Sequence, residues 1–318
     1  MNMTFKVAVP KNLSDSGKNL LLKNNFELIE LKNMDNSELL NKAKNANGII
    51  LGVNKFNDDN FKYLKNLKII ARTGVGFNNI NCKLAARNGV WVTITPEGDY
   101  QETANAAFTA ILSLGRHFPQ INYSMYHNSF KQAREIPTHD LKNKTLGIIG
   151  YGRVGKALEK NAHYFGFNIL INSHHPTVPK YGKYVDKITL LKNSDFISLN
   201  VPATPETFHM IDTNELKLMK QSANIINFAR GTLINTKALI NALKNHEIDG
   251  AALDVYEQEP LPKTSELYKL NNVLLTPHIG GITIESRRKM AYDAASEITR
   301  VLTNKKPLWP VISNVQIN

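Results

Sequence analysis

Gly150-Tyr151-Gly152-Arg153-Val154-Gly155 stands directly after the apolar run Thr145–Ile149 and directly before an amphipathic segment. In that setting the first glycine makes a tight turn, the second lets the backbone approach a pyrophosphate, and the third lets a helix pack closely on the preceding strand. A helix N-terminus also favours negative charge, so the expected chemistry is dinucleotide binding. In an NAD-binding version, an acidic residue about 20 residues further on, at the end of the second strand, holds the ribose 2′-hydroxyl. Here that position is Ser173, within Ile171-Asn172-Ser173-His174-His175-Pro176. Without a carboxylate to repel a 2′-phosphate, and with donors on Ser173, His174 and His175, the loop leans toward NADP(H) or toward use of both cofactors.

Three further clusters follow apolar runs: Asn227-Phe228-Ala229-Arg230-Gly231, Leu253-Asp254-Val255-Tyr256-Glu257-Gln258-Glu259-Pro260, and Thr276-Pro277-His278-Ile279-Gly280-Gly281. A doubly wound sheet places its ligands at such strand ends. An Arg, a carboxylate and a His at neighbouring strand ends, beside a nicotinamide site, can bind an α-keto acid, polarise its carbonyl and protonate the developing alkoxide.

These groups need elements to hold them. Short aliphatic runs alternate with amphipathic stretches throughout, the pattern of parallel sheets flanked by helices, so the class is α/β. At roughly 150 residues per domain, 318 residues point to two domains. The first third predicts strands near Lys6–Val9, Glu27–Leu31, Gly48–Leu51, Lys68–Ala71 and Val90–Thr93, with helical segments such as Lys18–Asn24 and Ser37–Lys44. A long apolar-faced helix is expected from Glu102 to His117, then a polar stretch around Tyr126–Asp140. A second unit then predicts six strands: Thr145–Ile149, Ile169–Asn172, Phe196–Leu199, Ile225–Phe228, Gly250–Leu253 and Val273–Thr276. One more helix, Ile284–Leu302, leads to a polar tail that can pack back on the first unit.

Composition narrows the classes. The formal net charge is +12, but residues 1–102 carry 14 basic against 10 acidic side chains, 103–284 carry 19 against 14, and 285–318 carry 6 against 3. A nucleic-acid binder concentrates such an excess on one element; here it is spread, which argues against nucleic acid while favouring small anionic substrates. No apolar run approaches the roughly 20 residues of a membrane helix. The start MNMTFKVAVP reads as a strand rather than a secretion signal. The single Cys82 makes no internal disulfide and no Cys/His cluster supplies a zinc site, so a reducing, cytoplasmic setting without a bound metal is expected.

The sequence resembles the D-isomer-specific 2-hydroxyacid dehydrogenases, through ARTGVGFNNI, TLGIIGYGRVG, NFARGTLIN, GAALDVYEQEP and TPHIGG, along nearly the whole chain from Arg72 onward. Within that family it is most similar to the phosphoglycerate dehydrogenases, in a short form without a regulatory domain. The resemblance implies two doubly wound parallel-sheet domains. One is a flavodoxin-like substrate domain of discontinuous sequence, 1–102 plus 285–318; the other is a Rossmann-type NAD(P) domain, 103–284. It puts the catalytic Arg on Arg230, the Glu on Glu259 and the His on His278. It puts the substrate-carboxylate loop on the backbone of Val75 and Gly76, and a basic group near the substrate on Arg72. Cofactor contacts are implied at Gly150, Gly152, Arg153, Val154, Gly155, Ser173, Val201, Pro202, Phe228, Ala229, Asp254 and Gly280, with Asp254 meeting the nicotinamide carboxamide.

The implied activity is NAD(P)-dependent hydride transfer between a D-2-hydroxy acid and its 2-keto acid, with phosphoglycerate, glyoxylate or hydroxypyruvate as candidate substrates. A homodimer is implied as well, because Thr103–Leu114 and Tyr123–Phe130 resemble the family's dimer arm. A rival from another class is a dehydrogenase-like NAD(P)H-sensing protein that acts through a protein partner. Formate oxidation fits poorly, since that related group pairs its His with Gln where this chain offers Glu259. The chain departs from the family pattern at Ser173, at Asn105 where many members carry Glu, and at Asn78 and Asn81 where Asp is common. No Trp follows His278 closely, and no regulatory domain is expected after the core, hence no serine feedback through one.

Overall fold

A computed structural model describes residues 4–174 and 177–311. Two parallel sheets organise them. The first contains β1 (Lys6–Pro10), β2 (Glu27–Leu31), β3 (Gly48–Leu51), β4 (Ile69–Arg72) and β5 (Trp91–Thr93), in the order β2-β1-β3-β4-β5. The second contains β6 (Thr145–Ile149), β7 (Asn168–Asn172), β8 (Lys183–Tyr184), β9 (Phe196–Leu199), β10 (Asn224–Asn227), β11 (Gly250–Leu253) and β12 (Val273–Leu275), in the order β12-β11-β10-β9-β6-β7-β8. The chain divides into two compact units, residues 1–99 with 282–318 and residues 100–281. The first sheet has the flavodoxin-like order 2-1-3-4-5, and the second the Rossmann order 3-2-1-4-5-6 with one strand added beyond the sixth.

Strands covered on both faces read as continuous apolar runs, because each face meets its own layer of helices. In the second unit Ile149, Ile197, Ile225 and Ala251 join one core layer. Ile148, Phe196, Ile226 and Ala252, their neighbours in sequence, join the other. This two-residue alternation is what a pleated strand between two cores requires.

The helix Ile284–Leu302 runs as expected and returns to the first unit, where Ala294, Ala295, Ile298, Val301 and Leu302 join Val7, Val9, Ile50 and Ile69 in one core. Two glycines admit it. A Cβ on Gly17 would stand 2.6 Å from the Ala291 carbonyl oxygen, and one on Gly48 would stand 2.9 Å from Ile298 Cδ1. The tail beyond it also packs on this unit: Ile94 N–H donates to Trp309 C=O at 3.2 Å, and the buried Glu297 carboxylate accepts the N–H groups of Leu308 and Trp309.

Three expectations need correction. The second sheet has seven strands rather than six, because Lys183–Tyr184 pairs with Leu170 and Ile171 at the edge; two residues are too short to show a period. Two helices follow the long one, Phe118–Tyr126 and Phe130–Glu135, the second inside the stretch around Tyr126–Asp140 expected to be polar and without an element. No residue of the first is buried: Phe118, Ile121 and Met125 recur at helical spacing, but Phe118 and Met125 are exposed rather than packed in the core. The long helix itself spans Tyr100–Gly115.

Candidate active site

Every strand of the second sheet is parallel, so all its C-terminal ends lie on one edge, and β6 sits between β7 and β9 at the point where the strand order reverses. Ligands of open α/β sheets bind at that crevice. The three motif glycines there meet three different constraints. Gly150 has φ +95°, and a Cβ on it would stand 2.5 Å from the Asn200 carbonyl oxygen and 2.7 Å from Val201 Cγ1. Gly155 presses its helix on the strand, its would-be Cβ lying 2.3 Å from the Gly150 carbonyl oxygen. Gly152 is different: among the described residues no heavy atom beyond its chain neighbours comes within 4 Å of its would-be Cβ. Open space over Gly152, at the N-terminus of the 12-residue helix Arg153–Tyr164, is the room a pyrophosphate needs. The residues present therefore fit a dinucleotide.

The flanking candidates occupy the same edge. Gly150 N–H donates to Asn172 C=O at 2.8 Å, which ties the glycine turn to the end of β7, where half-buried Ser173 and exposed His174 follow. His175 lies outside the described residues. Val201 and Pro202 follow β9, and the Pro202 carbonyl accepts the Thr207 hydroxyl at 2.8 Å. Arg153 is exposed at the start of its helix and Val154 is partly buried behind it.

The Arg230 loop is built by Asn227, the last residue of β10. Its side chain accepts Ala229 N–H at 3.1 Å and donates to Arg230 C=O at 2.8 Å. Arg230 Nη1 donates to Ala229 C=O at 2.6 Å, which orients the guanidinium. Gly231 follows with no room for a side chain: a Cβ there would stand 1.9 Å from the Tyr256 carbonyl carbon. The loops after β10 and β11 thus touch backbone to backbone.

After β11, Glu259 Oε2 lies 2.7 Å from His278 Nδ1, and Glu259 Oε1 accepts Tyr256 N–H at 3.0 Å. The Tyr256 hydroxyl reaches Leu253 C=O at 3.0 Å and Thr276 C=O at 2.8 Å, bridging the ends of β11 and β12. Burial, with the Asp254 charge beside it, pushes that hydroxyl up to about 12, so it stays a neutral donor. The Glu259–Pro260 peptide is cis. Asp254, 1% exposed, holds the His278 loop: Oδ1 accepts the Thr276 hydroxyl at 2.6 Å and Ile279 N–H at 2.8 Å, and Oδ2 accepts Gly280 N–H at 2.8 Å. His278 sits in the left-handed region, φ 55°. Gly280 is pressed between Asp254 and the Phe228 ring.

A second pair stands beside the first. His209 Nε2 meets Glu257 Oε1, while Glu257 Oε2 accepts Thr236 N–H at 3.1 Å. Burial works to raise the Glu257 carboxyl, but the hydrogen bonds from Thr236 and His209 outweigh it and hold the group low.

In the first unit, Arg72 ends β4 and Val75 and Gly76 follow it. Gly74, φ +117°, donates its N–H to Thr95 Oγ1 at 2.7 Å. Arg72 Nη1 lies 3.0 Å from where a Gly74 Cβ would stand, so the guanidinium folds back over its own loop.

The second unit thus brings Arg230, Glu259, His278 and the cofactor candidates to one sheet edge. Sequence reasoning missed the residues that hold them there: Asn227, Tyr256 and Thr276 were visible as strand-end polar residues, whereas the backbone approach at Gly231 left no sign beyond the glycine itself. Among the described residues no group of three His, Cys, Asp or Glu side chains could hold a metal.

Fold and edge together define a dinucleotide-fold α/β protein with a hydrogen-bonded His–Glu pair at the strand ends. Residues 108–280 match the family described as D-isomer specific 2-hydroxyacid dehydrogenase, NAD binding domain. The chain is 40% identical over 305 residues to a glyoxylate reductase of Thermococcus litoralis, covering 91% of each chain. Among solved structures it is similar to an NADPH-dependent glyoxylate/hydroxypyruvate reductase from Sinorhizobium meliloti in complex with NADP and malonate, with 25% identity, TM-score 0.85 and 97% of each chain covered. A D-lactate dehydrogenase with NAD+ from Lactobacillus jensenii matches at 27% identity and TM-score 0.81, covering 97% of this chain and all of that one. The chain belongs to the D-isomer-specific 2-hydroxyacid dehydrogenase family. It is an oxidoreductase acting on the CH–OH group of 2-hydroxy acids with a nicotinamide cofactor.

Proposed function

We propose that this protein reduces glyoxylate and similarly small 2-keto acids, using NADPH at least as well as NADH, with His278 as the proton donor. The observation that carries the reading is the 2.7 Å contact between His278 Nδ1 and Glu259, on the same edge as the glycine turn. A carboxylate accepts only, so it fixes the ring proton on Nδ1 and leaves Nε2 as the atom that exchanges a proton with substrate. Protonated, Nε2 donates to the developing alkoxide; neutral, it takes the hydroxyl proton in the oxidative direction. Arg230, oriented by Ala229 C=O, binds the keto acid's oxygens through charge-assisted hydrogen bonds and polarises the carbonyl. Val75 and Gly76 are the backbone candidates for the carboxylate. When bound, the reduced nicotinamide supplies hydride to the carbonyl carbon.

Glyoxylate as substrate is supported by two relatives, the glyoxylate reductase and the glyoxylate/hydroxypyruvate reductase. The phosphoglycerate branch rests on motifs alone, and an Arg72 folded over its own loop serves first as a brace for that loop. The NADPH lean rests on Ser173 and His174 and on the NADPH-dependent relative. A homodimer in a cytoplasmic setting completes the reading, formed through the exposed apolar side chains of Tyr123–Phe130 and the neighbouring Phe118 rather than through Thr103–Leu114, most of whose apolar positions are buried in their own unit's core. No helix among the described residues is long and apolar enough to cross a membrane.

The test is oxidation of NADPH or NADH, followed by absorbance, with glyoxylate, hydroxypyruvate, pyruvate and phosphohydroxypyruvate in parallel. Glyoxylate is expected to give the highest kcat/KM. A preference for phosphohydroxypyruvate would move the chain to the phosphoglycerate branch, and no turnover with any acid would sink the reading.

A further inference from the structure

A buried carboxylate beside the glycine turn takes no part in the chemistry above. Glu159, 2% exposed, lies on the helix that follows the glycine turn. An ionised carboxylate out of water is strongly unfavourable unless donors surround it, and Glu159 has three. The Tyr151 hydroxyl donates to Oε2 at 2.6 Å, and the backbone N–H groups of Tyr181 and Gly182 each donate to Oε1 at 2.8 Å. Tyr151 is the residue between the first two motif glycines. Tyr181 and Gly182 belong to the segment that leaves β7 at Ser173 and returns as β8.

That segment has a second tether at the same place. The Tyr184 hydroxyl accepts Thr177 N–H at 2.9 Å and donates to Thr177 C=O at 2.8 Å. Its ring meets the Tyr151 ring edge-on, with centroids 6.0 Å apart at 85°. Burial, then the hydrogen bond to Glu159, pushes the Tyr151 hydroxyl above its ordinary value, so it remains a donor to the carboxylate at any physiological pH. Gly182 is pinned from the other side, since a Cβ there would stand 2.8 Å from Ile171 Cδ1 and 2.9 Å from Ile169 Cγ2. The segment Thr177–Tyr184, on the C-terminal side of Ser173 and His174, is therefore held to the glycine turn through Tyr151, directly by Glu159 and indirectly by Tyr184.

We propose that Glu159 and Tyr151 form a positioning pair that holds the Thr177–Tyr184 segment against the glycine turn and so sets the affinity for the adenosine half of the dinucleotide and the choice made at its 2′ position. The inference rests on the cofactor reading above. Neither side chain touches reacting atoms in this scheme, so the effect falls on binding rather than on hydride transfer. A role confined to folding would lower stability and leave the NADPH-to-NADH ratio unchanged.

The experiment is calorimetric titration of the whole chain and its variants with NADPH, NADH, ADP-ribose and 2′-phospho-ADP-ribose, beside kcat at saturating cofactor. Glu159→Leu is expected to weaken NADPH and 2′-phospho-ADP-ribose by about tenfold, equivalent to about 1.4 kcal/mol, and NADH and ADP-ribose by about threefold. It should narrow the NADPH-to-NADH ratio and leave kcat within about threefold. Glu159→Gln is the rescue: its amide oxygen accepts both N–H groups and its NH2 donates to the Tyr151 oxygen, so affinities should return to within about threefold. Tyr151→Phe, which keeps the ring and removes one donor, covers the case in which the leucine variant does not fold; it should weaken binding by about threefold to fivefold. Folded Glu159→Leu or Tyr151→Phe protein with unchanged affinities overturns the inference alone. An unaltered chain that binds neither dinucleotide overturns the cofactor reading and this inference with it.

Discussion

His278 is a non-glycine residue at φ 55°, a conformation that costs energy and persists only where the surroundings over-determine it. Here they do: His278 N–H donates to Thr276 C=O at 3.1 Å, and the next two N–H groups are taken by Asp254. Asp254 therefore acts on the imidazole through the backbone, while Glu259 acts on it through the ring. His278→Asn suits the left-handed backbone but cannot exchange a proton. It is expected to lower kcat by roughly 10²–10⁴-fold while calorimetry finds cofactor affinity nearly unchanged; a variant retaining most of its turnover would remove His278 from the chemistry. Ser173 carries the second prediction at this scale. A carboxylate there would repel a 2′-phosphate and accept the ribose hydroxyls, so Ser173→Asp should weaken NADPH by about tenfold or more and leave NADH equal or improved. Equal weakening of both would show that Ser173 does not face the 2′ position.

At the scale of elements, backbone contacts at strand ends set the site. Gly231→Ala would drive a methyl group into the Tyr256 carbonyl and force apart the loops that hold Arg230 and Glu259. A loss of about 1–3 kcal/mol or more in thermal unfolding, with kcat falling more than cofactor affinity, is the expected result. Unchanged melting and activity would mean the two loops move independently. Glu297 offers a test in the helix Ile284–Leu302. Burial raises its carboxyl above the ordinary 4.5 despite the N–H groups of Leu308 and Trp309. A carboxyl raised on folding favours the protonated fold, so its contribution is full below that ordinary value and is lost as pH rises through the folded one. Glu297→Gln lacks this slope, so melting curves should show the variant gaining on the parent as pH rises above the ordinary carboxyl value. A constant difference over that rise would contradict the assignment. The main strands were legible because sheets covered on both faces write runs such as Gly48–Leu51 and Ile225–Ile226 into the sequence. Arg230, Glu259 and His278 were legible because each follows such a run. The two-residue β8 carries no period to read, and the helix Phe118–Tyr126 sets Phe118, Ile121 and Met125 at helical spacing over too few turns to stand out. Glu159 looked like any charge on a helix surface, and only the fold shows that it is buried and spoken for by Tyr151, Tyr181 and Gly182.

At the scale of the molecule, the second unit exposes Phe118, Tyr123, Met125, Tyr126 and Phe130 along two successive helices, with Tyr126 80% exposed. An apolar surface of that extent marks an interface, and a self-complementary pair is the commonest way to cover one. Light scattering at micromolar concentration should give twice the 35.7 kDa chain mass, and Phe118→Asp with Tyr126→Asp should halve it. A monomer for the unaltered chain would leave those side chains without the proposed role. The return of Ile284–Leu302 to the first unit has a consequence for synthesis. A nascent chain leaves the ribosome N-terminus first, at roughly 5–20 residues per second. The strands β1–β5 are complete by Thr93, yet the helix that supplies Ala294, Ala295 and Ile298 to their core begins only at Ile284. For on the order of 10 to 40 s the newborn first unit shows an apolar sheet face with its cover untranslated. The second unit acquires all seven of its strands by Leu275 and can close before the first unit does, although its sequence starts later.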